Sequence, residues 1–246
     1  SKTGIFVGEQ HMKKALLILF VAHSSLAQVS FEEVATIAGV GVSYGFSNLG
    51  GGVSFVDFNR DGWDDITFAT AGQKKLYFFK NLGGTFQEID LDITNSFETK
   101  QILWVDYDND DDMDLFVTSN TGTNRLYRNG GNLNFTDITL SSGLFTSNKA
   151  TFGATFGDID NDGDLDLFIV NYDITSKTQR NYLYRNNGST FEEITESAGI
   201  YLKYEPSFCA AFFDYNKDGF QDLYVANDRY ENINRRYKNL GNGTFE

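Results

Sequence analysis

Residues Asp158-Ile159-Asp160-Asn161-Asp162-Gly163-Asp164-Leu165-Asp166 place five carboxylates within nine positions, with glycine at the sixth. Counted from Asp158, oxygen-bearing side chains stand at positions 1, 3, 5 and 9. A hard cation asks for such a set: several carboxylate oxygens, a main-chain carbonyl near position 7, and a sharp turn that glycine makes without strain. The arrangement occurs four times. Its side-chain donors are Asp57, Asn59, Asp61 and Asp65; Asp106, Asp108, Asp110 and Asp114; Asp158, Asp160, Asp162 and Asp166; and Asp214, Asn216, Asp218 and Asp222. The position-7 carbonyls belong to Trp63, Asp112, Asp164 and Phe220. A solvated acidic turn accounts for the charge but not for the repeated spacing.

These loops must be held by strands. A helix–loop–helix calcium hand requires a bidentate Glu at position 12, where this chain has Phe68, Val117, Ile169 and Val225. Stretches such as Gly51–Val56 and Leu167–Val170 are short, β-branched or aromatic, and lack a helical period. Calcium loops joining two strands are expected, with about one ion per loop.

Asp57, Asp106, Asp158 and Asp214 recur at roughly fifty residues, a spacing that suits four-stranded propeller blades. Units are expected at about 41–90, 91–140, 141–196 and 197–246. In each, a first strand carries an aromatic two places before the loop (Phe55, Trp104, Phe156, Phe212) and Val53, Ile102, Ala154 or Ala210 two places earlier. Period-2 spacing puts both columns on one face, where blades pack. A second strand starts at Ile66, Leu115, Leu167 or Leu223. A third ends in Lys80-Asn81, Arg128-Asn129, Arg185-Asn186 or Lys238-Asn239, and a Gly/Asn hairpin leads to a fourth strand near Phe86, Phe135 or Phe191. Residues 29–40 carry a fourth-strand signature without the other three strands, and Thr244-Phe245 begins another. The expected fold is all-β: four blades, forming part of a larger, about seven-bladed ring. The alternative is a compact four-bladed ring in which Phe31–Val34 pairs beside the last unit.

Composition narrows the function. A net charge of −14 on 246 residues leaves no basic face for phosphates and excludes a general nucleic-acid binder. More than half of the 34 acidic residues sit in the four loops, so bound divalent cations would cancel much of that charge. Met12–Ala27 reads as a secretory signal: Lys13 and Lys14, an apolar run over Ala15–Ala22, then Ser25-Leu26-Ala27 as a cleavage site. The run is too short to span a bilayer, so no membrane insertion of the mature chain is expected. Residues 1–11 read as upstream read-through or a remnant, and 28–246 as the repeat region of a secreted or cell-surface protein. Both histidines, His11 and His23, precede that region, which removes His-based triads and His-ligated zinc. The single cysteine, Cys209, cannot form an internal disulfide and aligns with Gly153 as a small packing residue.

The four loops, with Leu126-Tyr127-Arg128-Asn129, Leu183-Tyr184-Arg185-Asn186 and the Thr-Phe segments at Thr85-Phe86 and Thr190-Phe191, resemble the FG-GAP/VCBS family of calcium-binding propeller repeats. That family includes the integrin α-subunit head and cartilage acidic protein. Thr151-Phe152-Gly153-Ala154 is similar to the element that names the repeat. The resemblance covers residues 29–246 and implies a structural metal bound by the side chains at positions 1, 3, 5 and 9 and the carbonyl at 7. Asp111 departs from it by standing where glycine belongs, which either strains that loop or raises its affinity.

A secreted, non-catalytic adhesion or binding module follows, its partner an extracellular protein or glycan. One alternative is a calcium-dependent polysaccharide lyase, or another carbohydrate-active enzyme, using Lys, Arg or Tyr as base. The other is a structural spacer of a larger surface protein. Tyr201, Tyr204 and Glu205, in an insertion outside the repeat pattern, are a pointer to function.

Overall fold

The computed structural model describes residues 30–47, 49–93, 97–147, 150–229 and 232–246. Met12–Ala27, read from the sequence as a secretory signal, lies outside them. The fold described below belongs to Val34–Glu246, which forms one compact unit.

Four antiparallel sheets follow one another along the chain. The first holds β1 (Val53–Val56), β2 (Asp65–Phe68), β3 (Tyr77–Asn81) and β4 (Phe86–Ile89). The second holds β5 (Thr99–Val105), β6 (Asp114–Ser119), β7 (Arg125–Asn129) and β8 (Phe135–Asp137). The third is β9 (Thr151–Gly157), β10 (Asp166–Asn171), β11 (Tyr182–Asn186) and β12 (Phe191–Glu193). In the fourth, β13 (Ser207–Phe213), β14 (Asp222–Asn227) and β15 (Arg235–Tyr237) are joined by an Asn239–Phe245 bridge. Each sheet is a meander in sequence order, which makes it a propeller blade.

Three apolar cores glue the blades in series. Phe58 and Phe78 of the first blade pack with Ile102, Trp104 and Leu115 of the second. Tyr107 and Phe116 join Ala154, Leu167 and Phe191 across the next junction, and Ile159 and Phe168 join Leu223 and Phe245 across the last. Trp104 shows how specific such a contact is: its ring stacks on Phe58 at 4.6 Å, and its Nε1 donates to Thr67 Oγ1 at 3.0 Å. The central blades are covered on both faces, so every residue of β6 and β10 is buried.

The arc does not close on itself. Among the described residues no core joins the fourth blade to the first, and the inner strands pack as consecutive neighbours, β1 on β5, β5 on β9 and β9 on β13. The outward faces of the end blades stay open: Val53 and Phe55 are 62% and 57% exposed, and Phe213 and Tyr224 are 43% and 36%. The same openness corrects the sequence reading of Cys209, which is exposed because nothing described packs on that face of β13.

Phe31–Val34 forms no strand, and Phe31 is exposed. The turn that follows it does the work instead. Ala38 O accepts from Phe86 N at 3.1 Å, as Ser142 O accepts from Phe191 N at 2.7 Å and Ala198 O from Phe245 N at 2.8 Å. Each incoming turn thus borders the outermost strand of the blade after it. Glycine is required there: a Cβ on Gly39, Gly143 or Gly199 would meet the carbonyl of that same Phe at 2.9, 2.2 and 2.7 Å, and all three have φ between 80° and 85°.

Candidate metal loops

Every loop begins where an inner strand ends, and its backbone is folded by its own carboxylates. The position-1 aspartate accepts the N–H groups of positions 5 and 6: Asp57 from Asp61 and Gly62 (3.1 and 2.8 Å), Asp106 from Asp110 and Asp111 (3.1 and 3.0 Å), Asp158 from Asp162 and Gly163 (3.2 and 3.1 Å), Asp214 from Asp218 and Gly219 (3.2 and 2.9 Å). The position-5 carboxylate accepts from position 7, where Trp63, Asp112, Asp164 and Phe220 donate at 2.9–3.1 Å. Position 6 is left-handed throughout, at φ 90°, 72°, 93° and 90° for Gly62, Asp111, Gly163 and Gly219. Asp111 therefore adopts the glycine conformation, one that Asp tolerates better than most residues.

Position 9 is the buried anchor. Asp65, Asp114, Asp166 and Asp222 are at most 1% exposed. Each accepts the position-2 N–H of its loop at 2.9–3.2 Å and the N–H of an asparagine at or just beyond the end of the third strand, Asn81, Asn129, Asn186 or Asn239, at 2.8–2.9 Å. Those asparagines are the residues that sequence reasoning passed over. Their side chains donate to the position-8 carbonyls of Asp64, Met113, Leu165 and Gln221 and accept a hairpin glycine N–H. Asn186 also donates to Tyr107 O and Asn239 to Ile159 O, both at 2.7 Å, so each ties its blade to the loop of the blade before.

Position 3 divides the loops into two kinds. In the second and third, oxygens of Asp106, Asp108 and Asp114, and of Asp158, Asp160 and Asp166, converge within 4.8 Å, a grouping able to hold a metal ion. Asp108 Oδ1 and Asp160 Oδ1 are buried there without a hydrogen-bond partner. Asp110 and Asp162 lie outside these clusters. In the first and fourth loops the third place is asparagine, whose amide satisfies the carboxylates internally: Asn59 Nδ2 donates to Asp65 Oδ2 at 2.9 Å and Asn216 Nδ2 to Asp218 Oδ2 at 2.8 Å.

The crowding is visible in the acidities. Burial pushes the Asp114 and Asp166 carboxyls up to about 7, even though main-chain N–H groups oppose it. Asp108 and Asp160 are raised as well, by burial first and then by neighbouring carboxylates. The third-strand cations offset part of this. Lys80 Nζ lies 3.1 Å from Asp61 Oδ2 and Arg185 Nε 3.3 Å from Asp160 Oδ2. These pairings depend on hairpin geometry, which spacing alone does not show.

The insertion residues serve the blade rather than a free surface. Glu205 is buried and takes Arg235 through Nε at 3.0 Å and Nη2 at 2.6 Å, while the guanidinium lies 4.1 Å from the Tyr201 ring centroid.

Residues 57–117 and 106–169 each match the FG-GAP-like repeat. Residues 57–169 thus carry FG-GAP-like repeats. The chain is also similar to Cartilage acidic protein 1 of Mus musculus, 28% identical over 153 residues, and of Homo sapiens, 27% identical over 152. These matches take in 57% of this chain but only 23% and 22% of the relatives. Among solved structures, one describing specific recognition of non-reducing terminal N-acetylglucosamine by an Agrocybe aegerita lectin superposes with a TM-score of 0.52 at 20% identity. It covers 79% of this chain, which spans about half (51%) of that one, and the likeness is one of fold.

Proposed function

We propose that this chain is an exported, non-catalytic binding module whose FG-GAP-like blades are stapled by calcium, with an extracellular glycan or protein as partner. The observation that carries the metal reading is the pair of buried, partnerless oxygens on Asp108 and Asp160, each inside a three-carboxylate cluster. A buried acceptor left unpaired costs about 1–3 kcal/mol, and a hard, oxygen-seeking cation removes that cost together with the repulsion. Held there, calcium would be bound by Asp106, Asp108 and Asp114 in one loop and by Asp158, Asp160 and Asp166 in the next, with Asp110, Asp162 and the Asp112 and Asp164 carbonyls completing the sets. The ion supplies countercharge alone; the chain's own carboxylates fix the turns between strands. Loops one and four are weaker members of the same series, because an amide already occupies the place of the third carboxylate.

Binding rather than catalysis is supported by the absence of histidine from residues 28–246 and by relatives and a fold neighbour whose names concern cartilage and sugar recognition. At the strand ends away from the metal loops, a cleft of about 500 Å³ is lined by Glu98, Lys100, Phe152, Tyr172 and Asp173. Aromatic faces beside hydrogen-bonding groups suit a polyhydroxylated ligand. Metal analysis with thermal unfolding tests the staple: excess chelator should lower the Tm and added calcium restore it. An unchanged melting curve after verified metal loss would overturn the reading. A glycan array run with and without calcium tests the partner class, with absorbance of unsaturated products monitored as a check on lyase activity.

A further inference from the structure

The residue at position 4 of each loop has no part in its own donor set, yet it is held in the left-handed region at every copy: Arg60, Asn109, Asn161 and Lys217 have φ of 61°, 57°, 61° and 63°. That conformation turns the side chain outward along the row of loops. Asn109 Nδ2 donates to Asp164 Oδ1 at 2.8 Å and to Gly163 O at 3.3 Å, both in the following loop. Asn161 Nδ2 repeats the move one blade on, donating to Gly219 O at 3.1 Å. Arg60 does it with charge, its Nη1 lying 4.0 Å from Asp111 Oδ1. At all three junctions, position 4 of one loop reaches position 6 or 7 of the next.

The row is tied a second time from within. Asn186 and Asn239, whose main-chain N–H groups are fixed by the position-9 carboxylates Asp166 and Asp222, donate to position-2 carbonyls of the preceding loop. An outer contact therefore runs forward and a buried one runs back between the same two loops. A metal that orders positions 5 to 7 of one loop also orders the backbone between its positions 3 and 5, which aims the position-4 side chain.

We propose that Asn109 and Asn161 are positioning residues that couple the metal loops in series, so that filling one loop raises the calcium affinity of the loop after it. The proposal rests on the calcium reading above. The contact holds the peptide unit between positions 6 and 7, whose N–H donates to the position-5 carboxylate, and so positions the residue that offers its carbonyl to the metal. Coupling is energetic and reciprocal: whatever the third loop gives the fourth, the fourth returns.

Hydrogen exchange resolved by peptide tests it on the full chain, with protection of segments 158–166 and 214–222 followed against calcium concentration. Asn161→Gly keeps the left-handed backbone and removes only the donor. A lost hydrogen bond of about 1 kcal/mol predicts that the calcium midpoint of 214–222 rises roughly fivefold while that of 158–166 changes less than twofold in its own binding step. Emptying the third loop with Asp158→Ala should raise the 214–222 midpoint by a similar factor in the parent, and by no further factor in the Asn161→Gly background. Two results overturn the coupling alone: an unshifted 214–222 midpoint in Asn161→Gly, or independent effects of the two substitutions. If neither segment of the parent gains protection from calcium, the calcium reading falls and the coupling falls with it. A uniform loss of protection across all blades in both Asn161→Gly and Asn161→Ser would mark a purely structural residue and also overturn the proposal.

Discussion

Asp160→Asn should change the sign of its effect with the medium. The substitution copies the first loop, where Asn59 donates to Asp65 Oδ2 at 2.9 Å. In chelator at pH 8, it removes one of three carboxylates gathered within 4.8 Å. A single such repulsion is about 3 kcal/mol at an effective dielectric near 20. It also gives a partner to an oxygen site that is buried without one. Against this stands the lost ion pair with Arg185, whose side chain is 33% exposed, worth no more than about 1 kcal/mol. The net gain is about 2 kcal/mol, or a Tm rise of roughly 4–8 °C for a chain of this size. In millimolar calcium the same change deletes a charged ligand, and the Tm should fall. Calorimetry of parent and variant in both media reads the crossing directly. A shift of one sign in both media refutes the idea that Asp160 is strained by the absence of countercharge.

Three other outcomes follow from the same geometry. Chelated protein should lose stability as pH rises from about 4 through 7, because Asp114 and Asp166 have folded-state pKa values near 7, above their unfolded ones, and the folded state binds the extra protons; urea titrations at pH 5 and pH 8 check this, and calcium should abolish the loss at the higher pH. Asn186→Ala should destabilise by about 2–3 kcal/mol and exceed Asn129→Ala by about 1 kcal/mol, since Asn186 adds a bond to another blade's carbonyl, Tyr107 O, at 2.7 Å; equal midpoints in urea would refute the cross-blade role. Glu205→Ala leaves Arg235 without its bidentate partner in a largely buried position and should cost about 2–4 kcal/mol, measured by the same titration.

The loops and blades were legible because their logic is local. Asp57, Gly62 and Asp65 fold one another within nine residues, so spacing alone exposes the design, and the alternation around Phe55 or Trp104 fixes which way each inner strand faces. What sequence hid depends on partners far along the chain. Asn186 meets Tyr107 O from 79 residues away, and its recurrence after Tyr-Arg signals importance without naming the partner. The difference between Asp160 and Asn59 was on view as letters, but its meaning required seeing an amide fold back on Asp65. Cys209 was misjudged for a related reason: a residue on a blade face is buried only if another blade covers it. Phe31–Val34 carries the composition of a fourth strand, yet only the turn after it is used.

The turn at Ala38-Gly39, and its repeats at Ser142-Gly143 and Ala198-Gly199, lies upstream of the strand it borders. During synthesis the lining for a blade's outer rim therefore exists before that blade's last strand emerges from the ribosome. Growth of the propeller becomes vectorial: each finished blade presents a template on which its successor can zip shut, and a freshly made rim is shielded from pairing with strangers. A whole repeat duplicated in the gene would arrive carrying the shield for whatever comes after it, which gives this architecture an easy route to lengthening.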